Sequence, residues 1–152
     1  MFVYRIGKTK HKDDLSGEGA RLFGGRWNHK FVPCIYTSES RALALLEYTV
    51  NVMVENIPDI LSITTIEIPD NLITEIQIES LPLGWNMSPT PSITKDFGTK
   101  LLKRGADPVL RLPSSIITRE YNYILNPRHA ESKNFSIIDM EDFVYDKRIK
   151  TV

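Results

Sequence analysis

The sequence predicts an α+β domain. Three observations point there: several short runs rich in β-branched and aromatic residues, two segments with helical periodicity and recognisable ends, and no repeat, low-complexity tract or linker dividing the chain. With 152 residues and 41% hydrophobic content, the chain is long enough to bury a real core. The expectation is one compact domain over residues 1–152, with mixed or antiparallel sheet and a few helices.

The elements follow in order. "MFVYRI" reads as a first strand, and the polar "GKTKHKDD" and the glycine-rich Gly17–Gly25 stretch read as loop. After Tyr36, Thr37 or Ser38 can cap a helix with Glu39 in its first turn. Ala42, Leu45, Leu46, Thr49 and Met53 then share one stripe, and the helix ends before Pro58. "ILSITTIEI" and "NLITEIQIE" flank Pro69-Asp70-Asn71, so they form a hairpin or two neighbouring strands. The proline-punctuated "LPLGWNMSPTPS" reads as loop. Thr94 can cap a second helix that carries Phe97 and Leu101 on one side and stops at Gly105. "PVLRLPSSII", "YNYILN" and "FSIIDMEDFVYD" supply further strands, although "EYNYILN" could equally make a helical turn.

Bulk chemistry narrows the function. Nineteen basic and nineteen acidic side chains cancel, so no global field draws the protein to nucleic acid or an anionic membrane. A lone cysteine forms no internal disulfide, and there is neither a secretory leader pattern nor a membrane-length apolar run, which makes the cytoplasm the expected compartment. "GKT" at residues 7–9 fails as a phosphate loop, because Phe2 stands where the motif needs its first glycine. His11, His29 and His129 lack ligand spacing, so no metal site is expected. Lys8, Lys10 and Lys12 read as a solvated loop, and nothing beside Cys34 would activate its thiol.

Four positions carry more chemistry. Gly24-Gly25 permits a tight turn or a close approach to a flat ligand, and Arg26 follows it with a planar, permanently charged fork suited to pyrophosphate or carboxylate. Trp27 reads as a packing anchor. Glu47 falls on the helix side shared by Leu43, Val50 and Val54, at the border with a polar face around Ala44, Asn51 and Glu55. There it either reaches for water or, as the wall of a cleft, stabilises a developing positive charge. Tyr36 is either a core aromatic with a satisfied hydroxyl or a ring stacked on a planar ligand. Ser114 and Ser115 follow Pro113 at a strand exit, where serines commonly make turns.

Taken together, "Y-R-I", "G-E-G-A-R-L-F-G-G-R-W-N", "Y-T-S", "A-L-L-E", "L-P-S-S" and "N-Y-I-L-N-P-R-H" resemble the RES domain family, from Tyr4 to about Arg148. The resemblance implies a fold related to ADP-ribosyltransferases and a role as the toxin of a bacterial toxin–antitoxin pair. The implied antitoxin carries an Xre-type helix-turn-helix domain, which would leave direct DNA binding to that partner; a homodimer within the complex follows by analogy. NAD is the implied substrate, cleaved by hydrolysis or phosphorolysis, with inorganic phosphate as the co-substrate in the second case and no cofactor in either. Arg26 and Glu47 match the family's catalytic arginine and glutamate. Arg26, Tyr36 and Ser114 match its NAD-binding positions, and Asn28 and Asn122 match recurrent polar positions assigned to the same role. A mono-ADP-ribosyltransferase acting on a protein and a non-catalytic nucleotide-binding module are the alternatives. Members often carry a glycine shortly after the Arg-Trp-Asn turn, whereas Phe31 and Val32 stand here and reshape expectations for the loop near His29.

Overall fold

A computed structural model describes residues 1–151. Seven strands form one mixed sheet: β1 (Phe2–Lys8), β2 (Ile35–Ser38), β3 (Ile60–Glu67), β4 (Ile73–Glu75), β5 (Val109–Pro113), β6 (Tyr121–Leu125) and β7 (Ser136–Val144). Their spatial order is β4-β5-β6-β2-β1-β3-β7, parallel only between β4 and β5. Three helices accompany it, α1 (Glu18–Phe23), α2 (Arg41–Asn51) and α3 (Ser92–Arg104).

Several expectations need correction. The glycine-rich stretch holds α1, a short helix entered at Gly17 and left at Gly24, both with positive φ. "ILSITTIEI" and "NLITEIQIE" are not neighbours: β3 pairs with β1 and β7, whereas β4 lies at the far edge beside β5. The turn at Pro69-Asp70-Asn71 is a 3-10 turn that sends the chain across the sheet instead of back along β3. "YNYILN" is strand β6.

The cap of α2 is Ser40, whose hydroxyl accepts the Leu43 N–H at 3.0 Å. Thr37 and Ser38 belong to β2, so Glu39 lies outside the helix. The buried face of α2 is correspondingly rotated from the expected stripe: Leu43, Ala44 and Thr49 are buried, while Ala42 is exposed. Thr94 does not cap α3 either; it sits inside the first turn after Pro91, with its hydroxyl buried and unpartnered. Gly105 ends α3 in the left-handed conformation, as its position predicted.

Register shows how the site is framed. Tyr4 pairs with Ser38, Ser38 with Asn122, Tyr36 with Ile124, and Leu112 with Asn122, so these side chains share one sheet face. That face carries two cores. Ile6, Ala44, Leu61 and Tyr145 pack α2 onto β1 and β3, and Trp27, Leu102, Leu110, Leu112 and Ile124 pack α3 onto β5 and β6. A third cluster, including Val3, Ile35, Ile66, Val109 and Leu125, occupies the opposite face. Tyr4 and Ser38 are the single registered pair joining β1 to β2, whereas β1 and β3 pair along the whole of β1. The sheet therefore parts between β1 and β2, leaving a groove between the two helical packings.

Candidate active site

A cleft of about 550 Å³ occupies that groove, with Tyr4, Arg26, Tyr36, Glu47, Ser115 and Asn122 in its walls. One wall is the turn that follows α1, and the other is α2.

The first wall is built from backbone. The Gly25 N–H donates to the Asn28 carbonyl at 3.1 Å, closing a tight turn with Arg26 and Trp27 at its corners. Trp27 is only 3% exposed and stacks on Trp85 at 6.1 Å, with Phe97 edge-on. It is the packing anchor the sequence predicted. Arg26 points to the cleft, and its Nη1 donates to the carbonyls of Trp85 (2.8 Å) and Met87 (2.9 Å). Among the described residues no hydrogen bond uses its Nε or Nη2. Burial lowers the guanidinium from its ordinary value while the charge of Glu47 acts the other way; it remains a cation.

Two glycines make this wall possible. A Cβ on Gly25 would lie 2.6 Å from the Tyr36 hydroxyl, and one on Gly98 of α3 would lie 2.1 Å from the Trp27 carbonyl oxygen. Gly25 thus admits a protein side chain, where sequence reading left room for a ligand. The Tyr36 hydroxyl accepts the Trp27 N–H (2.9 Å) and donates to Asn28 Oδ1 (2.6 Å). Burial, followed by the neighbouring Cys34, pushes its phenol well above the ordinary value, so it stays protonated as a donor. The reading of a satisfied hydroxyl is therefore met, and the ring also borders the cleft. Asn28 is fully buried, and its amide donates to the carbonyls of Ala20, His29 and Val32. The structure places it beneath the cleft, supporting Tyr36, rather than at the ligand surface.

The second wall is built from side chains. Glu47, on α2, faces the cleft instead of open water. Its Oε1 accepts from Ser114 Oγ at 2.8 Å and from Asn122 Nδ2 at 2.6 Å. Ser114 is fully buried, and its Oγ also accepts the N–H groups of Ile116 (3.0 Å) and Ile117 (3.1 Å). Both lone pairs are taken, so its one proton goes to Glu47. Ser114 is thereby withdrawn from the cleft, and Ser115 lines it in its place. Among the described residues no hydrogen bond engages Glu47 Oε2. The arrangement fixes one carboxylate oxygen and leaves the other for a ligand.

Ala44, expected on the polar face, is buried against Ile6 and also borders the cleft. Cys34 is buried, and desolvation pushes its thiol up to about 12, which keeps it un-ionised and unreactive. His29 pairs with Asp96 at 2.6 Å, tying the loop after the Arg26 turn to α3, and the His129 ring accepts the Glu131 N–H. Phe31 takes φ 76°, a left-handed conformation that favours glycine, with its side chain 74% exposed. The unusual residue noted there leaves the Arg26 turn intact. Ser115 was one of the two adjacent serines named from the sequence, whereas the places of Tyr4 and Ser38 in the cleft wall and of Gly98 against Trp27 carried no local signal.

A family model described as RES domain matches residues 2–146. The chain belongs to the RES domain family. The "Prs ADP-ribosylating toxin" of Sphingobium sp. (strain YBL2) is 33% identical over 145 residues, covering 93% of this chain and 90% of that protein. "Toxin Res" of Yersinia enterocolitica is 34% identical over 152 residues, covering 99% of this chain and all of that protein. The "NAD(+) phosphorylase MbcT" of Mycobacterium tuberculosis is 53% identical over 38 residues, which span 24% of this chain and 20% of that protein. The crystal structure of the M. tuberculosis MbcT–MbcA toxin–antitoxin complex matches with a TM-score of 0.74 at 20% identity, covering 94% of this chain and 84% of that one. This last likeness establishes a shared fold.

Proposed function

We propose that this protein is the toxin of a toxin–antitoxin pair and consumes NAD by breaking the bond between nicotinamide and ribose. The observation that carries the proposal is Glu47, a cleft carboxylate with one oxygen held by Ser114 and Asn122 and the other free. The names of its relatives, an ADP-ribosylating toxin and an NAD(+) phosphorylase, support the same substrate.

When the C1′–N bond breaks, nicotinamide leaves with the bonding electron pair and the ribose becomes oxocarbenium-like. Its positive charge is stabilised by an adjacent carboxylate, as in glycoside cleavage. Glu47 supplies that charge from the cleft wall, with its Oε1 held in place by the Ser114 hydroxyl and the Asn122 amide. Nicotinamide departs neutral from a cationic substrate, so the step needs no general acid. Arg26 holds the pyrophosphate through the guanidinium edge left free by the Trp85 and Met87 carbonyls. The Tyr36 ring borders the planar part of the ligand, and Ser115 and Asn122 offer it polar contacts. No cofactor is required. Water as acceptor gives ADP-ribose and a proton; phosphate oxygen as acceptor gives the phosphorylated ribose.

Purified protein incubated with NAD should release nicotinamide, and comparison with and without inorganic phosphate separates phosphorolysis from hydrolysis. Failure of the folded, antitoxin-free protein to release nicotinamide under both conditions would sink the proposal. A second reading, ADP-ribosylation of a protein, is favoured by the relative of that name, which matches nearly the full chain. It predicts labelled ADP-ribose on a protein in lysate and loses if NAD turns over freely without an acceptor. The partner follows from the same proposal: an antitoxin, of Xre type by family resemblance, that covers the cleft between Arg26 and Glu47. Complex formation should then abolish nicotinamide release.

A further inference from the structure

We infer that Ser38 is a positioning residue for Glu47, acting through the side-chain amide of Asn122. The inference rests on the reading above, in which Glu47 is the carboxylate that meets the reacting ribose.

An asparagine amide has two ends of nearly equal size, one donating and one accepting. Turned one way, Asn122 gives Glu47 an N–H; turned the other, it sets a carbonyl oxygen against a carboxylate oxygen. Its Nδ2 faces Glu47 Oε1 at 2.6 Å, while its Oδ1 accepts the hydroxyl proton of Ser38 at 2.6 Å. The three groups form a directed chain, with Ser38 donating to Asn122 and Asn122 donating to Glu47. Each bond polarises the next in the same sense.

The backbone holds that chain in place. Ser38 is only 3% exposed and pairs directly with Asn122 across β2 and β6. It also pairs with Tyr4, the single register point between β1 and β2 where the groove begins. The residue that joins the two halves of the sheet therefore also orients the group that orients Glu47. Ser114 cannot substitute for it, because Ser114 bonds to Oε1 and to the Ile116 and Ile117 N–H groups but to neither Ser38 nor Asn122 in the hydrogen-bond network of the described residues.

Ser38→Ala removes the donor to Asn122 Oδ1 with the loss of one oxygen. We expect kcat for NAD cleavage to fall about tenfold, the size of one hydrogen bond, with KM changed by less than about twofold. Ser38→Thr should restore kcat, and Ser38→Cys, similar in size with a weak donor, should lie between. In an Asn122→Ala background, Ser38→Ala should have no further effect. A Ser38→Ala protein with unchanged kcat, or an equal loss in both backgrounds, overturns the inference.

A readout independent of activity keeps the wiring testable. The Asn122 side-chain amide protons, observed by NMR, should move on Ser38→Ala and on Glu47→Gln; no shift on Ser38→Ala would count against the relay even if the rate falls. If wild-type protein releases no nicotinamide at all, the proposed function fails, and this amide signature still decides the relay.

Discussion

The two walls of the cleft hold their charged groups by different means. Arg26 sits on a turn whose shape depends on missing side chains, Gly25 beneath Tyr36 and Gly98 against Trp27, and its guanidinium is aimed by backbone carbonyls. Glu47 sits on a regular helix and is aimed by Ser114, just past β5, and Asn122 of β6, side chains distant in sequence. Substitutions in the support of the first wall, at its glycines, should act through packing, because the carbonyls that aim Arg26 cannot be mutated away. At the second wall they should act through electrostatics, leaving the fold nearly untouched.

The largest test is Glu47→Gln. It should lower kcat for NAD cleavage about 10²–10³-fold, the loss typical of a group that stabilises transition-state charge. Thermal unfolding should barely move; a large drop in Tm would break the contrast.

Gly98→Ala probes the opposite wall. Its Cβ would press on the Trp27 carbonyl oxygen at 2.1 Å, so α3 must shift, and urea unfolding should show a loss of about 3 kcal/mol. Activity should fall only as the Arg26 turn is displaced.

Arg26→Lys keeps the charge and loses the fork. Steady-state kinetics should show KM for NAD raised about tenfold, in line with one lost charge-assisted hydrogen bond, with stability unchanged.

Alkaline stability tests the packing under the first wall. Burial raises the Cys34 thiol from its ordinary 9.0 to about 12, so across that interval the unfolded chain has lost a proton that the folded chain keeps. Stability is full below the lower value and falls as pH rises toward the upper one. Cys34→Ala should flatten that decline in Tm in part, with Tyr36 and Tyr48, both shifted in the same direction by burial, continuing to contribute to it.

The smallest effect belongs to Phe31→Gly. Relief of the left-handed backbone, offset by the added freedom of glycine when unfolded, should stabilise the protein by about 0.5–1 kcal/mol. NAD cleavage should be unchanged, since the exposed ring is not among the residues lining the cleft.

Much of the α-helical content was legible because its signals are local. Gly105 ends α3 where a left-handed residue belongs, and the run from Arg41 to Asn51 is helical as its pattern requires. The exact cap was not legible: Thr37 or Ser38 was expected and Ser40 caps, because the cap depends on how far β2 continues to pair with β6. Thr37 and Ser38 are held in the sheet by bonds to Tyr123 and Asn122, which no local pattern announces. The place of β4 was hidden for the same reason, since its partner β5 lies beyond the whole of α3.

Local pattern along the chain was enough for the class of fold, the Arg26 turn after paired glycines, and a glutamate at the border of an apolar helix face. It also carried the family, through short motifs spread along nearly the whole chain. What those residues do to one another emerges from contacts made across the fold. Ser114 clamps Glu47 and leaves the cleft surface to Ser115, Asn28 supports Tyr36 from below, and Ser38 sets the amide of Asn122. Each of these roles depends on which end of a polar group faces which neighbour. That is fixed by non-local strand register and by burial, neither of which is written in the order of residues along the chain.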